Sequence, residues 1–232
     1  MGHEPMMPAE RARKIREWQD TVFESEMART EETRVEYLGL TLRIPPQVQP
    51  ITGMSDLLGT AVTDEVRETD RVLDMGTGSG VNAILAAAKS SDVTAVDVNP
   101  HAVEAARENA EANGVAARVR VLESDLFDRV DGAFDLVVFD PPFRWFAPRD
   151  LRERNTTDED YRTLTAFFRE VQRYLSPGGR ILLFFGTSGD ADYLYKLIGE
   201  AGLDAEKLRI RNVEKDGLEV EYFTLQLTRG AE

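Results

Sequence analysis

From residue 71 onward, short apolar runs alternate with amphipathic stretches. The pattern predicts strands at 71–75, 92–97, 118–122, 135–139 and 180–185, separated by helices near 81–90, 101–113, 160–175 and 190–202. Apolar runs of this length, bounded by turn residues and alternating with helical periodicity, indicate a parallel sheet buried on both faces by helices. The C-terminal stretch breaks the rhythm. Segments 206–213 and 218–228 flank Asp216-Gly217, a tight-turn dipeptide, with no crossover helix between them. They should therefore pair antiparallel. Together these seven strands predict an α/β fold, a mostly parallel seven-stranded sheet finished by a C-terminal antiparallel hairpin.

Upstream of this core, residues 8–33 form a long charged segment whose apolar positions Ile15, Trp18, Val22, Phe23 and Met27 recur at helical spacing. Such a helix braces or lids the domain, or else caps a site or a dimer contact. Residues 34–46 alternate apolar and polar around Gly39, as a short hairpin or edge strand does. A Pro-rich loop, 45–50, then leads to a helix near 54–67. The expected division is an N-terminal helical extension over 1–34 and an α/β domain over 35–232.

Composition narrows the chemistry. The chain of 232 residues has no cysteine and only two histidines, His3 in a tail and His101 in the first turn of a helix. Disulfides, thiolate catalysis and cysteine- or histidine-rich metal sites are excluded, so no metal is expected. Carboxylates, backbone groups, hydroxyls or a bound cofactor must do the work. A net charge of −14 on average repels phosphate, which ranks nucleic acid below a protein or small-molecule partner. No run approaches the roughly 20 apolar residues of a membrane span, and the start lacks a secretory signal. A cytoplasmic protein with no membrane partner is the expectation.

The first predicted strand ends in Asp74-Met75-Gly76-Thr77-Gly78-Ser79-Gly80. Glycines here let the chain turn tightly and approach a ligand, and the following helix N-terminus adds N–H donors. A dinucleotide fingerprint requires G-x-G-x-x-G, but Val81 occupies the third glycine position. The G-x-G-x-G spacing resembles instead the first motif of S-adenosylmethionine-dependent methyltransferases, whose loop faces an amino-acid end rather than a pyrophosphate. An acid at Asp74 is repelled by pyrophosphate but suits an ammonium or sulfonium. The second strand ends in Asp97-Val98-Asn99-Pro100. Asp97, at a parallel strand tip, can accept hydrogen bonds from both hydroxyls of a ribose. Asn99 caps the next helix with Pro100 at its first position.

The fourth strand runs into Asp140-Pro141-Pro142-Phe143. Two prolines fix the backbone and donate no hydrogen bonds, leaving the Asp140 carboxylate and carbonyl acceptors. That arrangement suits a planar NH₂ group, with its protons taken by Asp140 and the Pro141 carbonyl and Phe143 stacked on the ring or amide plane. In-line placement lowers the barrier without covalent catalysis, and Asp140 stabilises the nitrogen as it becomes cationic.

The order GTGSG, DVNP, SDLF and DPPF, with Leu38-Gly39-Leu40 upstream and Leu175-Ser176-Pro177-Gly178-Gly179-Arg180 before the fifth strand, resembles the class I, Rossmann-like methyltransferases of the methyltransferase small-domain group. Release-factor glutamine N5-methyltransferases and other (N/D)-P-P-(Y/F) N-methyltransferases belong to it. The resemblance implies S-adenosyl-L-methionine as cofactor. It also implies an Asp125 that receives the adenine amino group and a Leu126 that lines the ring. The expected cofactor set is Asp74, Gly76, Thr77, Gly78, Gly80, Asp97, Val98, Asn99, Asp125, Leu126 and Asp140; the expected catalytic set is Asp140, Pro141, Pro142 and Phe143. The implied reaction is N-methylation of a protein or small molecule. Asp140 and Phe143 replace the Asn and Tyr of the glutamine enzymes, and Gln49-Pro50-Ile51-Thr52-Gly53 stands where those enzymes carry a different loop. The D-P-P-F form resembles ribosomal-RNA guanine N2-methyltransferases, so an RNA guanine or adenine stays open as acceptor. A nicotinamide-dependent oxidoreductase and a non-catalytic methyltransferase-like partner protein are the alternatives from other classes.

Overall fold

The computed structural model describes residues 3–215 and 217–230. Its centre is a seven-stranded sheet made of β3 (Arg71–Met75), β4 (Asp92–Asp97), β5 (Val119–Glu123), β6 (Phe134–Phe139), β7 (Leu175–Gly186), β8 (Leu203–Lys215) and β9 (Leu218–Arg229). The spatial order is β5-β4-β3-β6-β7-β9-β8. Pairing is parallel from β5 through β7 and antiparallel where β9 meets β7 and β8. The expected seven-stranded sheet and its C-terminal hairpin are both present. Asp216, the first residue of the expected turn, lies outside the described residues; Gly217 beside it has φ +69°.

The sheet is apolar because helices cover both faces. Val72, Leu73, Val93, Val96, Leu136, Val137, Val138, Ile181, Leu182 and Leu183 are all buried. The covering helices include α2 (Ser55–Glu65), α3 (Val81–Ala87), α4 (Pro100–Ala112), α5 (Arg162–Glu170) and α6 (Ala191–Glu200). Capping follows the sequence. The Asn99 side chain accepts from the His101 amide at 3.0 Å with Pro100 at the first helical position, and His101 itself is exposed. Asp158 accepts from the Thr163 and Leu164 amides at 3.0 and 2.9 Å at the start of α5.

Some boundaries differ from the pattern. The helix expected over 160–175 is α5 flanked by 3-10 turns at Glu159–Tyr161 and Val171–Tyr174. The Ser-Pro-Gly-Gly stretch expected to precede the fifth strand is a dislocation inside β7. Phe134 pairs with Leu175 while Leu136 pairs with Arg180, so the intervening residues loop out of the ladder. Gly178 there has φ +75°, and a Cβ on Gly179 would lie 2.9 Å from the Phe134 carbonyl. Just beyond, Arg180 forms a fully buried ion pair with Asp70 at 2.8 Å and donates to the Glu65 carbonyl, tying the end of α2 to β7.

The N-terminal third wraps this core. Helix α1 (Ala9–Ala28) is shorter than the 8–33 pattern. It ends where Arg29 turns out of the helix and donates to the carbonyls of Pro45, Pro46 and Val48. Ile15 is fully buried in the main core and Met27 is exposed. Strands β1 (Thr33–Tyr37) and β2 (Leu40–Ile44) make a separate hairpin turned by Leu38 and Gly39, both at positive φ. Its Arg43 backbone exchanges hydrogen bonds with the Asn109 side chain of α4 at 2.8 and 2.9 Å. His3 is no loose tail: its Nε2 lies 2.9 Å from Asp190 Oδ2, and its ring sits against Tyr161 and Tyr193. No helix among the described residues is long and apolar enough to cross a membrane.

Candidate active site

At the carboxyl ends of the parallel strands, where the chain order reverses between β4–β3 and β3–β6, a cavity of about 900 Å³ opens. That crevice is where open α/β sheets bind ligands. Gly76, Thr77, Gly78, Asp97, Val98, Asn99, Asp125, Leu126, Asp140, Pro141, Pro142 and Phe143 all line it. Four separate strand ends thus bring residues dispersed over 68 positions to one place.

The glycine loop is held from two sides. Gly76, Gly78 and Gly80 have φ of +66°, +54° and +84°. Gly78 N–H donates to Asp97 Oδ2 at 2.9 Å, and Thr77 N–H to the Val96 carbonyl at 2.9 Å. Below the loop, Asp74 Oδ2 accepts from Thr77 Oγ1 at 2.6 Å and from the Ala83 amide at 3.1 Å. Asp74 is therefore behind the cavity wall rather than on it, and the expectation that it faces an ammonium or sulfonium is corrected. Its carboxylate is used to join the loop to α3. Gly80 also stands off the wall. A Cβ there would lie 3.0 Å from the Ala106 Cα, so this glycine permits close packing of the loop on α4.

Asp97 keeps spare acceptor capacity. Its Oδ1 takes the Asn99 amide at 2.8 Å and its Oδ2 takes Gly78, while each carboxylate oxygen has a second lone pair. Burial raises its pKa against the lowering effect of those amides. Asn99 is buried, with its Nδ2 on the Gln47 carbonyl at 3.0 Å, whereas Val98 is exposed. Beyond β5, Ser124 Oγ bonds the Leu126 carbonyl and the Arg129 amide, both at 3.0 Å. That clamp holds Leu126 at φ +44°, a left-handed conformation costing a branched residue about 1–3 kcal/mol. Asp125 beside it is exposed.

Asp140 differs from both strand-tip acids below it. Among the described residues its side chain accepts no hydrogen bond, and the two following residues are prolines without an N–H to offer. The carboxylate is exposed to the cavity, whose walls crowd protein around it. That setting, with Asp74 nearby, pushes its carboxyl up to about 7. Asp74 is likewise pushed to about 7, by burial first and by Asp97, against the bonds from Thr77 and Ala83. Two neighbouring carboxyls pushed toward neutrality, chiefly by burial, are a feature of functional sites. Phe143 lines the same wall, packed against Phe185 at 5.2 Å and Phe184 at 6.0 Å.

Residues 52–197, which span the glycine loop, Asp74, Asp97, Asp125 and Asp140, match the methyltransferase small domain. The chain belongs to this methyltransferase family. A Methanocaldococcus jannaschii chain named as a protein N5-glutamine methyltransferase is 32% identical over 70% of this chain and 85% of its own length. A release factor glutamine methyltransferase of Chlorobaculum tepidum is 43% identical over 65% of this chain, which spans 57% of that relative. Among solved structures, a T. thermophilus 16S rRNA N2 methyltransferase in complex with AdoMet and guanosine superposes with a TM-score of 0.64 at 22% identity, covering 86% of this chain and 50% of that one. The fold is that of the class I methyltransferases. S-adenosylmethionine is the methyl donor of the family, which replaces the nicotinamide alternative.

The other half of this methyltransferase cavity was not visible as a motif. Trp18 and Val22 of α1, Arg144, Leu151, Arg154 and Thr157 of the segment after D-P-P-F, and Phe184, Val213, Val220 and Tyr222 of the C-terminal strands line it. The 144–158 segment is ordered by a parallel bridge between Arg144 and Thr157 and a 3-10 turn at Glu153–Asn155. Beneath it lies a buried polar network. Gln19 Nε2 donates to Glu153 Oε1 at 3.0 Å, Gln19 Oε1 accepts from Arg144, and Glu153 takes three bonds from Arg149. Gln19 had a legible signal: it is the polar residue set at i+4 from Ile15 within the apolar stripe. Trp145 is buried against Phe146, 4.7 Å away, and packs in the core rather than on the cavity.

Proposed function

We propose that the chain transfers a methyl group from S-adenosylmethionine to a planar amide or amine nitrogen of a protein or small molecule. One observation carries this reading: Asp140 faces the cavity with a carboxylate that no donor among the described residues satisfies, beside two prolines that contribute carbonyls only. At this point of the wall the groups on offer are acceptors, which are complementary to an NH₂ group.

The wall around the glycine loop fits the methyl donor. Asp97 retains lone pairs for two hydroxyls, exposed Asp125 can accept from an amino group, and Val98 and Leu126 offer apolar surface to a ring. When bound, S-adenosylmethionine supplies an electrophilic methyl group. Asp140 and the Pro141 carbonyl would take the two nitrogen protons and fix the direction of its lone pair. Phe143, held by Phe184 and Phe185, would position the plane that carries the nitrogen. Positive charge developing on nitrogen would be stabilised by the Asp140 carboxylate. Proton release follows methyl transfer, and a carboxyl poised at about 7 can accept that proton at neutral pH.

Incubating the full chain with methyl-labelled S-adenosylmethionine and separate protein, RNA and small-molecule fractions tests the reading. Label in protein or small molecules is the expected result. Label confined to RNA would move the acceptor to nucleic acid, and absence of label with intact donor binding would mark a non-catalytic relative.

A further inference from the structure

Two arginines of this molecule are almost completely buried, and they are treated differently. Arg180, 3% exposed, has its counter-ion: Asp70 lies 2.8 Å away. Arg144, 5% exposed, lines the acceptor half of the cavity. Among the described residues no carboxylate lies within ion-pair distance of it. The acid that acts on it, Glu153, is held by Arg149 at 2.6 Å and by Gln19 at 3.0 Å. Its own contacts are neutral: the Gln19 amide oxygen, the phenol of Tyr222, and the Trp18 ring, whose centroid is 4.6 Å from the guanidinium carbon. Burial draws its pKa below the ordinary arginine range. A cation so placed is unfavourable unless a ligand supplies the missing charge.

The backbone fixes where that charge sits. Arg144 N–H donates to the Thr156 carbonyl at 3.2 Å, and its carbonyl accepts from Asp158 N–H at 2.8 Å. Four residues earlier, across two prolines, stands Asp140. The same cavity is thus lined by the Asp140 acceptor and by the Arg144 guanidinium, with Trp18, Val22, Phe143 and Tyr222 providing apolar surface around them. An anion is repelled by Asp140 and drawn to Arg144; an amine is driven the opposite way. Arg154, exposed at the rim of the same cavity and within no ion-pair contact among the described residues, adds attraction of the same sign, partly offset by Asp158, on which it acts.

We propose that the methyl acceptor carries an anionic oxygen group, a carboxylate or a phosphate ester, that docks on Arg144 while its nitrogen faces Asp140. The planar guanidinium matches such groups with two parallel hydrogen bonds. This rests on the methyl-transfer reading above, and it narrows the acceptor to a molecule with a charged end close to the nitrogen.

Calorimetry on the full chain saturated with S-adenosylhomocysteine tests it with three probes of similar shape: benzoate, phenyl phosphate and neutral benzamide. At least one anion should bind about tenfold tighter than benzamide, and which anion does so separates carboxylate from phosphate. Arg144→Met should abolish the preference while leaving S-adenosylhomocysteine affinity intact, and Arg144→Lys should restore part of it. Equal affinities for the three probes, or none for any, would overturn the proposal, as would a preference that survives in Arg144→Met. If that variant does not fold, Arg154→Gln decides: preference retained supports Arg144, and preference lost places the anion at the rim and overturns the assignment. Failure to take up S-adenosylhomocysteine at all would instead defeat the methyl-transfer reading.

Discussion

The two halves of the cavity are built on different principles. On the proposed donor side, backbone geometry does most of the positioning: positive-φ glycines, a left-handed Leu126 and acids at consecutive strand tips. On the proposed acceptor side, side chains from α1, the 144–158 segment and the C-terminal strands converge from distant parts of the chain. A donor shared by a whole family can be held by a local backbone motif. An acceptor peculiar to one protein requires surfaces that vary without disturbing the sheet, and loops and appended helices supply them. Asp140 stands on the border between the halves.

The largest effect should therefore come from Asp140. Replacing it with Ala should lower turnover by about 100- to 1,000-fold, the range seen when one pre-organised group facing transition-state charge is removed. S-adenosylhomocysteine affinity, measured by calorimetry, should remain within a few-fold. Unchanged turnover would mean that the proline-framed acid has no role in the reaction and that the border has been drawn in the wrong place.

The donor half is probed next. Asp97→Ala removes charged acceptors, each worth about 1.5–3 kcal/mol. Donor affinity should fall about tenfold to a hundredfold, with little change in the apparent KM for acceptor. An equal loss of acceptor binding would show that the halves are not separable. Gly80→Ala asks whether backbone geometry alone maintains the loop. A side chain at φ +84°, with its Cβ 3.0 Å from Ala106 Cα, should cost about 1–3 kcal/mol in urea denaturation. A neutral result would show that the loop relaxes freely and that its glycines are not set by conformation.

The same division explains what the sequence reveals. Strands β3 to β7, the hairpin and the wall residues Gly76, Gly78, Asp97, Asp125 and Asp140 follow from short-range patterns, because strand, turn and acid adjoin in the chain. Asp74 is the instructive departure. An acid beside a glycine loop suggests a ligand contact, but its carboxylate is consumed by Thr77 and Ala83, bonds that only three-dimensional placement reveals. The acceptor half depends on separations exceeding one hundred residues, such as Gln19 with Glu153 and Arg144. No local periodicity encodes those pairings. His3 is the extreme case, since a terminal residue reads as solvent until Asp190 and two tyrosines are brought around it.

The smallest expected effect, dependence on pH, sharpens the comparison most, because the two halves should respond with opposite signs. Asp140 must be ionised to accept an N–H, and its carboxyl is pushed up to about 7. Turnover should rise with pH through neutrality, changing about tenfold between about pH 6 and pH 8. Asp74, also pushed up to about 7, holds a proton in the folded chain that an unfolded Asp, with a pKa of about 3.9, has already released. Its contribution to stability is full below the unfolded value and is lost as pH rises through about 7. Activity should therefore grow across the window in which this part of the stability declines. Asp74→Asn separates the two, since its amide oxygen can still accept from Thr77 and Ala83. The variant should lose stability less steeply with pH than the parent in urea titrations. Its rate profile should also move to lower pH, because Asp74 is one of the two causes that raise Asp140. A rate profile that stays in place after Asp74→Asn would mean that burial alone sets the Asp140 pKa and that the donor-side acid is electrostatically silent toward the acceptor side.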